Sequence, residues 1–416
     1  MDHRDDIVEL TIEDMGNGGM GIARQDGVAI LVHFTIPGEV ITARITNDQG
    51  RYAFAEGIAV HEPSADRVAP RCPNFGALHT CCSTWQHMNY YAQLALKTDI
   101  VADQLERVGG FTELPVQMTR PSPEEWAYRH EARLLPHPEN GFGFLAANET
   151  SASPLPECHL VTPELLAFYD QMTFDLPNLT QIILRENRAE DVMLMLSTAD
   201  DEPPEIRLDV PASVNFLHQD GEPANLIGAT HLVYHVDGIA LRVTAGAAWR
   251  GNLPQIEHLV RHVRESLALT GEESILDIYS GVGLFAAALA PDANLITCID
   301  DHPPAMTDAE FNLAAYDHVN LIEGDAAEVL ASVPDDEAYD VAIFDPPPRG
   351  VTKDALDAFG ELNVPRAIYI SDNPAILARD ANRLSTRLGY NLTAVVPFDF
   401  EPQTHRVVTV AHFEKG

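Results

Sequence analysis

The sequence predicts an α/β protein with an N-terminal β-barrel, a central α+β region and a C-terminal doubly wound parallel sheet. Three observations carry that prediction. Residues 7 to 60 alternate short β-rich runs (IVELTI, VAILVHF, VITARI) with glycine turns (GNGGMG, DG, PG), the pattern of a small closed antiparallel barrel. From about residue 250, apolar runs (SILDIY, NLITCID, VNLIEG, YDVAIFD, AIYIS) alternate with helical sequence, which implies a parallel sheet covered on both faces. With 416 residues and 45% hydrophobic content, the chain is long enough for several domains, each with its own core.

After the barrel comes a cysteine-bearing stretch, RCPNFGALHTCCSTWQHMNYYAQLALK, which runs into a helix near residues 89 to 107. Residues 110 to 245 mix strands and turns, with ADDEPPE and QDGEP as solvated acidic loops. The helix IEHLVRHVRESLAL leads into the parallel sheet, and the short EPQTH turn joins two final strands near NLTAVVPFD and RVVTVAHFE. The expected units are residues 1–62, 63–108, 109–248 and 249–416.

The net charge is −37, from 26 basic and 63 acidic residues. Lysine and arginine normally supply much of the affinity for nucleic-acid phosphates, so this balance argues against tight, non-specific RNA binding. Only Lys97, Lys353 and Lys415 are lysines, a bias that a salty cytoplasm also produces. No apolar run reaches the length of a membrane span, and the acidic start MDHRDDIVEL is unlike a signal peptide. Five unevenly spaced cysteines do not form a secreted disulfide framework. A cytoplasmic monomer with no membrane contact is expected.

In a doubly wound sheet the ligand sits at the carboxyl ends of the strands. The first such strand ends Asp277-Ile-Tyr279-Ser280-Gly281-Val-Gly283, where glycines let backbone approach a ligand closely. The second ends at Asp300, 23 residues after Asp277, a spacing that suits a carboxylate accepting both ribose hydroxyls. Gly324 and Asp325 end the third, where a carboxylate meets an adenine amino group. Asp345, in FDPPPRG, ends the fourth. Four acidic strand ends in this order point to S-adenosylmethionine. A nicotinamide dinucleotide fits less well, because Ala286 occupies the third position of G-x-G-x-x-G.

The segment ISDNPAILARD resembles the S-C-N-P-A-T-L-A-R-D stretch of the RNA uracil-C5 methyltransferases. VELTIEDMGNGGMGIARQDGVAILVHFTIPGEVITARI resembles their TRAM module, and WAYRHEARL and GFGFLA resemble their central domain. The resemblance covers nearly the whole chain. It implies a Rossmann-like, S-adenosylmethionine-dependent methyltransferase domain behind an OB-like TRAM barrel and a central α+β domain. It also implies ribosomal or transfer RNA as substrate. Arg250, Tyr279, Gly281, Gly283, Asp300, Asp325 and Asp345 become the implied cofactor-binding set.

The departures from the family pattern bear on chemistry. Methylating uracil C5 requires a thiolate to add at C6 and a base to remove the C5 proton. Asp372 stands in the nucleophile slot, and Val408, in PQTHRVVTV, stands where the family carries its glutamate base. Asp372 reads either as the cap of the helix starting near Pro374 or as a new catalytic group. Arg250, in TAGAAWRGN, replaces a cofactor-contacting glutamine; it either pairs with the methionine carboxylate or fills the pocket. Asp345-Pro346-Pro347 is similar to the D-P-P-aromatic signature of amino-group methyltransferases, but Pro348 replaces the aromatic. Members of the family with an iron–sulfur cluster show C-x5-C-G-G-C and a distant fourth cysteine. The corresponding residues here are Cys72, the adjacent pair Cys81 and Cys82, and Cys158. Adjacent thiols are awkward co-ligands, so a lost or altered cluster is favoured. Cys298 reads as a buried core thiol. Two functions remain: an RNA methyltransferase with altered chemistry, or a pseudoenzyme that binds RNA, cofactor or a protein partner without turnover.

Overall fold

The computed structural model describes residues 5–416 apart from 74, 77–82, 114, 138–140, 146–151, 154–157, 173–177, 190, 208–209 and 335. The N-terminal sheet holds β1 (Ile7–Thr11), β2 (Asp14–Met15), β3 (Gly21–Gln25), β4 (Val28–Val32), β5 (Val40–Asp48) and β6 (Tyr52–Glu62). Their order is β1-β5-β6-β4-β3-β2. Alternation along β5 sends Ile41, Ala43 and Ile45 into one core with Leu10, Ile12, Ala23, Ile30 and Val32, the period-two burial that a curled sheet requires. One feature differs from the all-antiparallel expectation: β4 pairs with β6 in parallel. The nearest antiparallel partner of β6, β5, is already on its other edge, so β4 reaches β6 by a crossover.

The helix expected near residues 89 to 107 is α1 (Tyr90–Arg107). Asn89 caps it by accepting from the Ala92 amide, and Leu94, Ile100, Val101 and Leu105 form its buried face.

The central region contains β7 (Glu131–His137), β8 (Gly141–Leu145), β9 (Ala152–Ser153), α2 (Pro163–Tyr169), β10 (Leu179–Glu186), β11 (Val192–Thr198), β12 (Ser213–Leu217) and β13 (Pro223–Ile227). The seven strands form one sheet in the order β13-β12-β11-β10-β7-β8-β9. A separate hairpin, β14 (His231–Val236) and β15 (Ile239–Thr244), shares its core with the C-terminal unit: Leu232, Tyr234, Leu241 and Val243 pack in one cluster with Leu259, Val263 and Phe285.

The C-terminal unit runs α3 (Leu253–Leu267), β16 (Ser274–Ile278), α4 (Leu284–Leu289), β17 (Leu295–Asp300), α5 (Pro303–Leu313), β18 (Val319–Glu323), α6 (Ala326–Ser332), β19 (Val341–Phe344), α7 (Lys353–Glu361), β20 (Arg366–Ser371), α8 (Pro374–Leu388), β21 (Tyr390–Phe398) and β22 (Val408–Lys415). All five strand runs read from the sequence are present. The order is β18-β17-β16-β19-β20-β22-β21, parallel through β20 and antiparallel for the last two. The chain changes direction of winding between β16 and β19, so the crevice at their carboxyl ends is the ligand position of such sheets. Strands β16 and β19 are wholly or almost wholly buried, whereas β18 at the edge is largely exposed. This Rossmann-like sheet with an N-terminal TRAM-type β domain is the fold class that the sequence predicted.

Candidate functional site

At the switch point the sequence runs from β16 straight into a tight turn. Tyr279 adopts φ 63°, a left-handed conformation that costs a bulky residue free energy and persists only where its surroundings enforce it. The Tyr279 and Ser280 amides both donate to the Ile299 carbonyl, which holds the turn against β17. Gly283 follows at φ 82°. A Cβ there would lie 2.8 Å from Leu313, so the close packing of this turn on α5 requires glycine.

Four carboxylates gather at these strand ends. Asp277 is fully buried. One of its oxygens accepts from the Ala286 amide at 3.2 Å, and the other has no partner. Burial, reinforced by the charges of Asp345 and Asp300, pushes its carboxyl up to about 7. Asp300 is half-buried at the end of β17; its Oδ2 accepts from Gly281 N and its Oδ1 from His302 N. Burial raises its pKa, and those two amides offset part of the rise. Asp325 caps α6, with one oxygen accepting from the Ala327 and Glu328 amides. Burial, followed by the charge of Asp325, pushes the Tyr279 phenol up to about 12.

Asp345 is the fourth, and its partner is Arg250. Both terminal nitrogens of that guanidinium donate to Asp345 at 2.7 Å, and Nη2 also reaches Asp372 Oδ1 at 3.2 Å. Two parallel bonds of this kind are the strong geometry for an arginine–carboxylate pair. The Arg250 side chain is only 21% exposed and that of Asp345 only 16%. Burial raises the Asp345 pKa, and Arg250 counters that rise. The guanidinium also sits 5.8 Å over the Phe400 ring. Asn252, two residues on, caps α3 by accepting from Gln255 N, and its amide donates to the Phe400 carbonyl. Arg250 thus ties the carboxyl ends of β19 and β20 to the loop after β21.

The structure brings together most of the residues that the sequence singled out and redistributes two roles. Asn373, not Asp372, caps α8, accepting from the Ala375 and Ile376 amides. Asn373 has the extended backbone of a cap, and its side chain reaches the orphan amides one position later than expected. Asp372 is exposed and faces Arg250 instead. Val408 begins β22 and is buried in the main core, so no carboxylate occupies that slot. Cys298 is a core thiol, fully buried, with its pKa raised by burial. Cys72 and Cys158 are both buried, while Cys81 and Cys82 lie outside the described residues. Among the described residues, no group of three or more His, Cys, Asp and Glu side chains is arranged to hold a metal.

Sequence reading missed the scaffold behind the site. Lys97 of α1 is fully buried with Asp399, at 2.5 Å, and also donates to the Glu401 carbonyl. Gln93 and Gln403 exchange two hydrogen bonds of 2.9 Å, and Tyr128 donates to the Pro402 carbonyl. The loop between β21 and β22 is therefore gripped by α1 and the central region. The available signal was Lys97 itself, one of three lysines in the chain, set among the apolar positions of an amphipathic helix.

Comparison with known proteins agrees with this fold. Residues 5–58 match the TRAM domain. Over its whole length the chain is similar to proteins named uncharacterized RNA methyltransferases. That of Halalkalibacterium halodurans is 28% identical, with 99% of this chain and 98% of the relative covered. That of Streptomyces avermitilis is 28% identical, with 98% of each covered. Among solved structures, the Pyrococcus abyssi tRNA (uracil-54, C5)-methyltransferase in complex with S-adenosyl-L-homocysteine superposes with a TM-score of 0.73 at 23% identity, covering 98% of this chain and 100% of that one. Fold and comparison together define a Rossmann-like α/β protein carrying an N-terminal TRAM domain. No helix among the described residues is long and apolar enough to cross a membrane.

Proposed function

We propose that the protein, as a monomer, binds S-adenosylmethionine at the carboxyl ends of β16 to β19. We further propose that it methylates RNA by a route with no cysteine adduct at uracil C6. The observation that carries this reading is the carboxylate cluster itself. Burial raises the pKa values of Asp277, Asp300 and Asp345, the charges of Asp345 and Asp300 add to the rise at Asp277, and Arg250 supplies one compensating charge at Asp345. Such a cluster favours a ligand carrying fixed positive charge. The unpartnered oxygen of buried Asp277 is an acceptor waiting for a donor, and an ammonium group meets that need. A bound S-adenosylmethionine supplies an electrophilic methyl group on a sulfonium.

The remaining roles follow from lone pairs. Each Asp300 oxygen has one backbone amide and keeps a second lone pair for a ribose hydroxyl. Asp325 commits one oxygen to α6 and keeps the other for an amino group. Gly281 and Gly283 let the backbone approach the ligand. With Asp372 and Val408 in the two slots, the target atom is one nucleophilic without covalent help, such as a base nitrogen. Asp372 uses one oxygen on Arg250 and has the other available to take the displaced proton. The RNA assignment rests on the TRAM match and the named relatives, and transfer or ribosomal RNA is the expected substrate.

A second reading, a protein that binds ligands without turnover, draws on the double 2.7 Å clamp of Arg250 on Asp345. The two readings separate in one assay. RNA is incubated with methyl-labelled S-adenosylmethionine and digested, and its nucleosides are analysed by mass spectrometry. Label in a nucleoside other than 5-methyluridine supports the first reading. Label in 5-methyluridine contradicts it, and no label in any RNA tried supports the second.

A further inference from the structure

A second site lies far along the chain from the carboxylate cluster, where the barrel meets the segment leading to α1. A cavity of about 300 Å³ opens there, walled by Phe34, Phe75, His87 and Arg67, with Glu56 and Ile58 of β6 among its lining residues. Phe34, Phe75 and His87 pack against one another in its lining. Phe34 and Phe75 have centroids 4.7 Å apart, and Phe75 and His87 lie 5.6 Å apart at an interplanar angle of 32°. Phe34 adopts φ 60°, so its ring is presented from a strained backbone that the fold must hold in place.

The polar groups of this wall are fixed in a telling way. The Arg67 Nε and Nη2 atoms grip Glu39 at 2.5 and 2.6 Å, and Nη2 also donates to the Phe34 carbonyl at 2.8 Å. Glu39 is fully buried and also accepts from the Ile36 and Ser64 amides. Among the described residues, Arg67 is the one lysine or arginine lining the cavity, and its charge is already engaged by Glu39. His87 is 2% exposed. Its Nε2 lies 3.3 Å from the Thr35 carbonyl, which can only accept, so Nε2 carries the proton and Nδ1 a lone pair. That Nδ1 is buried without a partner. Burial and the nearby Arg67 charge pull His87 down to about 4, so the ring stays neutral with its acceptor unused. A buried acceptor without a donor is costly unless something supplies one.

We propose that this cavity holds one unstacked nucleobase of single-stranded RNA, stacked on the Phe34 and Phe75 rings with a base N–H donating, in the plane of the imidazole, to His87 Nδ1. This rests on the reading that the chain acts on RNA. The charge distribution favours a base over a phosphate. Residues 1 to 60 carry four basic and ten acidic side chains, so phosphate neutralisation contributes little on this surface. Stacking does not need positive charge, and aromatic platforms hold single strands base by base. The cavity has room for a base, and every RNA base offers an N–H on an edge. Ile58 and Val60, exposed on β6 beside the cavity, extend its apolar rim.

The test uses the full chain and single-stranded oligoadenylate and oligouridylate of about 12 nucleotides, followed by fluorescence anisotropy. Phe75 is half-buried, so Phe75→Ala is the primary variant. It should weaken RNA binding roughly 5- to 100-fold, the loss of one base–aromatic stack, while S-adenosylmethionine binding stays unchanged. Phe75→Trp, which keeps an aromatic face, should bind RNA like the wild type. An oligonucleotide carrying 2-aminopurine should lose fluorescence on binding the wild-type chain, which tests stacking even where a variant fails to fold. Unchanged affinity in Phe75→Ala, or no 2-aminopurine quenching on the wild type, overturns the pocket and leaves the methyltransferase reading intact. A wild-type chain that binds neither oligonucleotide overturns both the pocket and the RNA assignment.

Discussion

Replacing Arg250 with glutamine removes the cation that, among the described residues, pairs with both Asp345 and Asp372. The side chains of Arg250 and Asp345 are 21% and 16% exposed, so the pair is largely but not fully desolvated. Breaking a buried pair from one side costs ~3–5 kcal/mol; with this residual exposure, the low end, about 3 kcal/mol, is expected. At a urea m-value of about 3 kcal/mol per M, that loss lowers the unfolding midpoint by roughly 1 M. The effect must depend on pH. Burial already raises the Asp345 pKa in the folded protein, and Arg250 is the group that opposes the rise. Without Arg250 the folded-state pKa climbs further above the unfolded value. A carboxyl raised in this way destabilises the fold above its folded pKa, and the cost fades as pH falls toward the unfolded value. The stability gap between wild type and Arg250→Gln should therefore be largest near pH 8 and shrink toward pH 5. Urea titrations followed by far-ultraviolet circular dichroism at both pH values measure it. A gap that is absent, or equal at the two pH values, refutes the argument that Arg250 neutralises a desolvated Asp345.

Two other outcomes follow from the same contacts. In a radiometric assay on transfer RNA, Asp372→Cys with Val408→Glu should form no 5-methyluridine while Arg250 stays clamped on Asp345 beside position 372. Adding Arg250→Gln should give detectable product, and equal activity in the double and triple variants would show that Arg250 obstructs nothing. Lys97→Ala leaves the Asp399 carboxylate buried without its countercharge beneath the loop between β21 and β22. It should lose ~3–5 kcal/mol in denaturant unfolding, and a loss below about 1 kcal/mol would contradict the contact.

Much of the fold was legible in the sequence because strand periodicity and glycine turns are local signals. The runs SILDIY to AIYIS became β16 to β20, and the closing hairpin of β21 and β22 fell where NLTAVVPFD and RVVTVAHFE placed it. The parallel pairing of β4 with β6 was not legible, since which edges meet is decided by the three-dimensional path of the chain. At the site, the acidic strand ends could be read from spacing alone. The clamp of Arg250 on Asp345 and Asp372 could not: it joins positions 95 and 122 residues apart. The capping of α8 was misread by a single position, because Asp372 and Asn373 are both good caps and only backbone geometry separates them. The unpartnered His87 nitrogen needed the Thr35 carbonyl, 52 residues away, to be seen.

The most direct test of a live cofactor pocket is calorimetric titration of S-adenosylmethionine into the purified chain, with Asp300→Ala, checked for an intact fold, as the control. Saturable binding of roughly micromolar strength that disappears in Asp300→Ala is the predicted result. No binding to the wild-type chain would contradict the account and leave Arg250 as a plug in an inherited pocket.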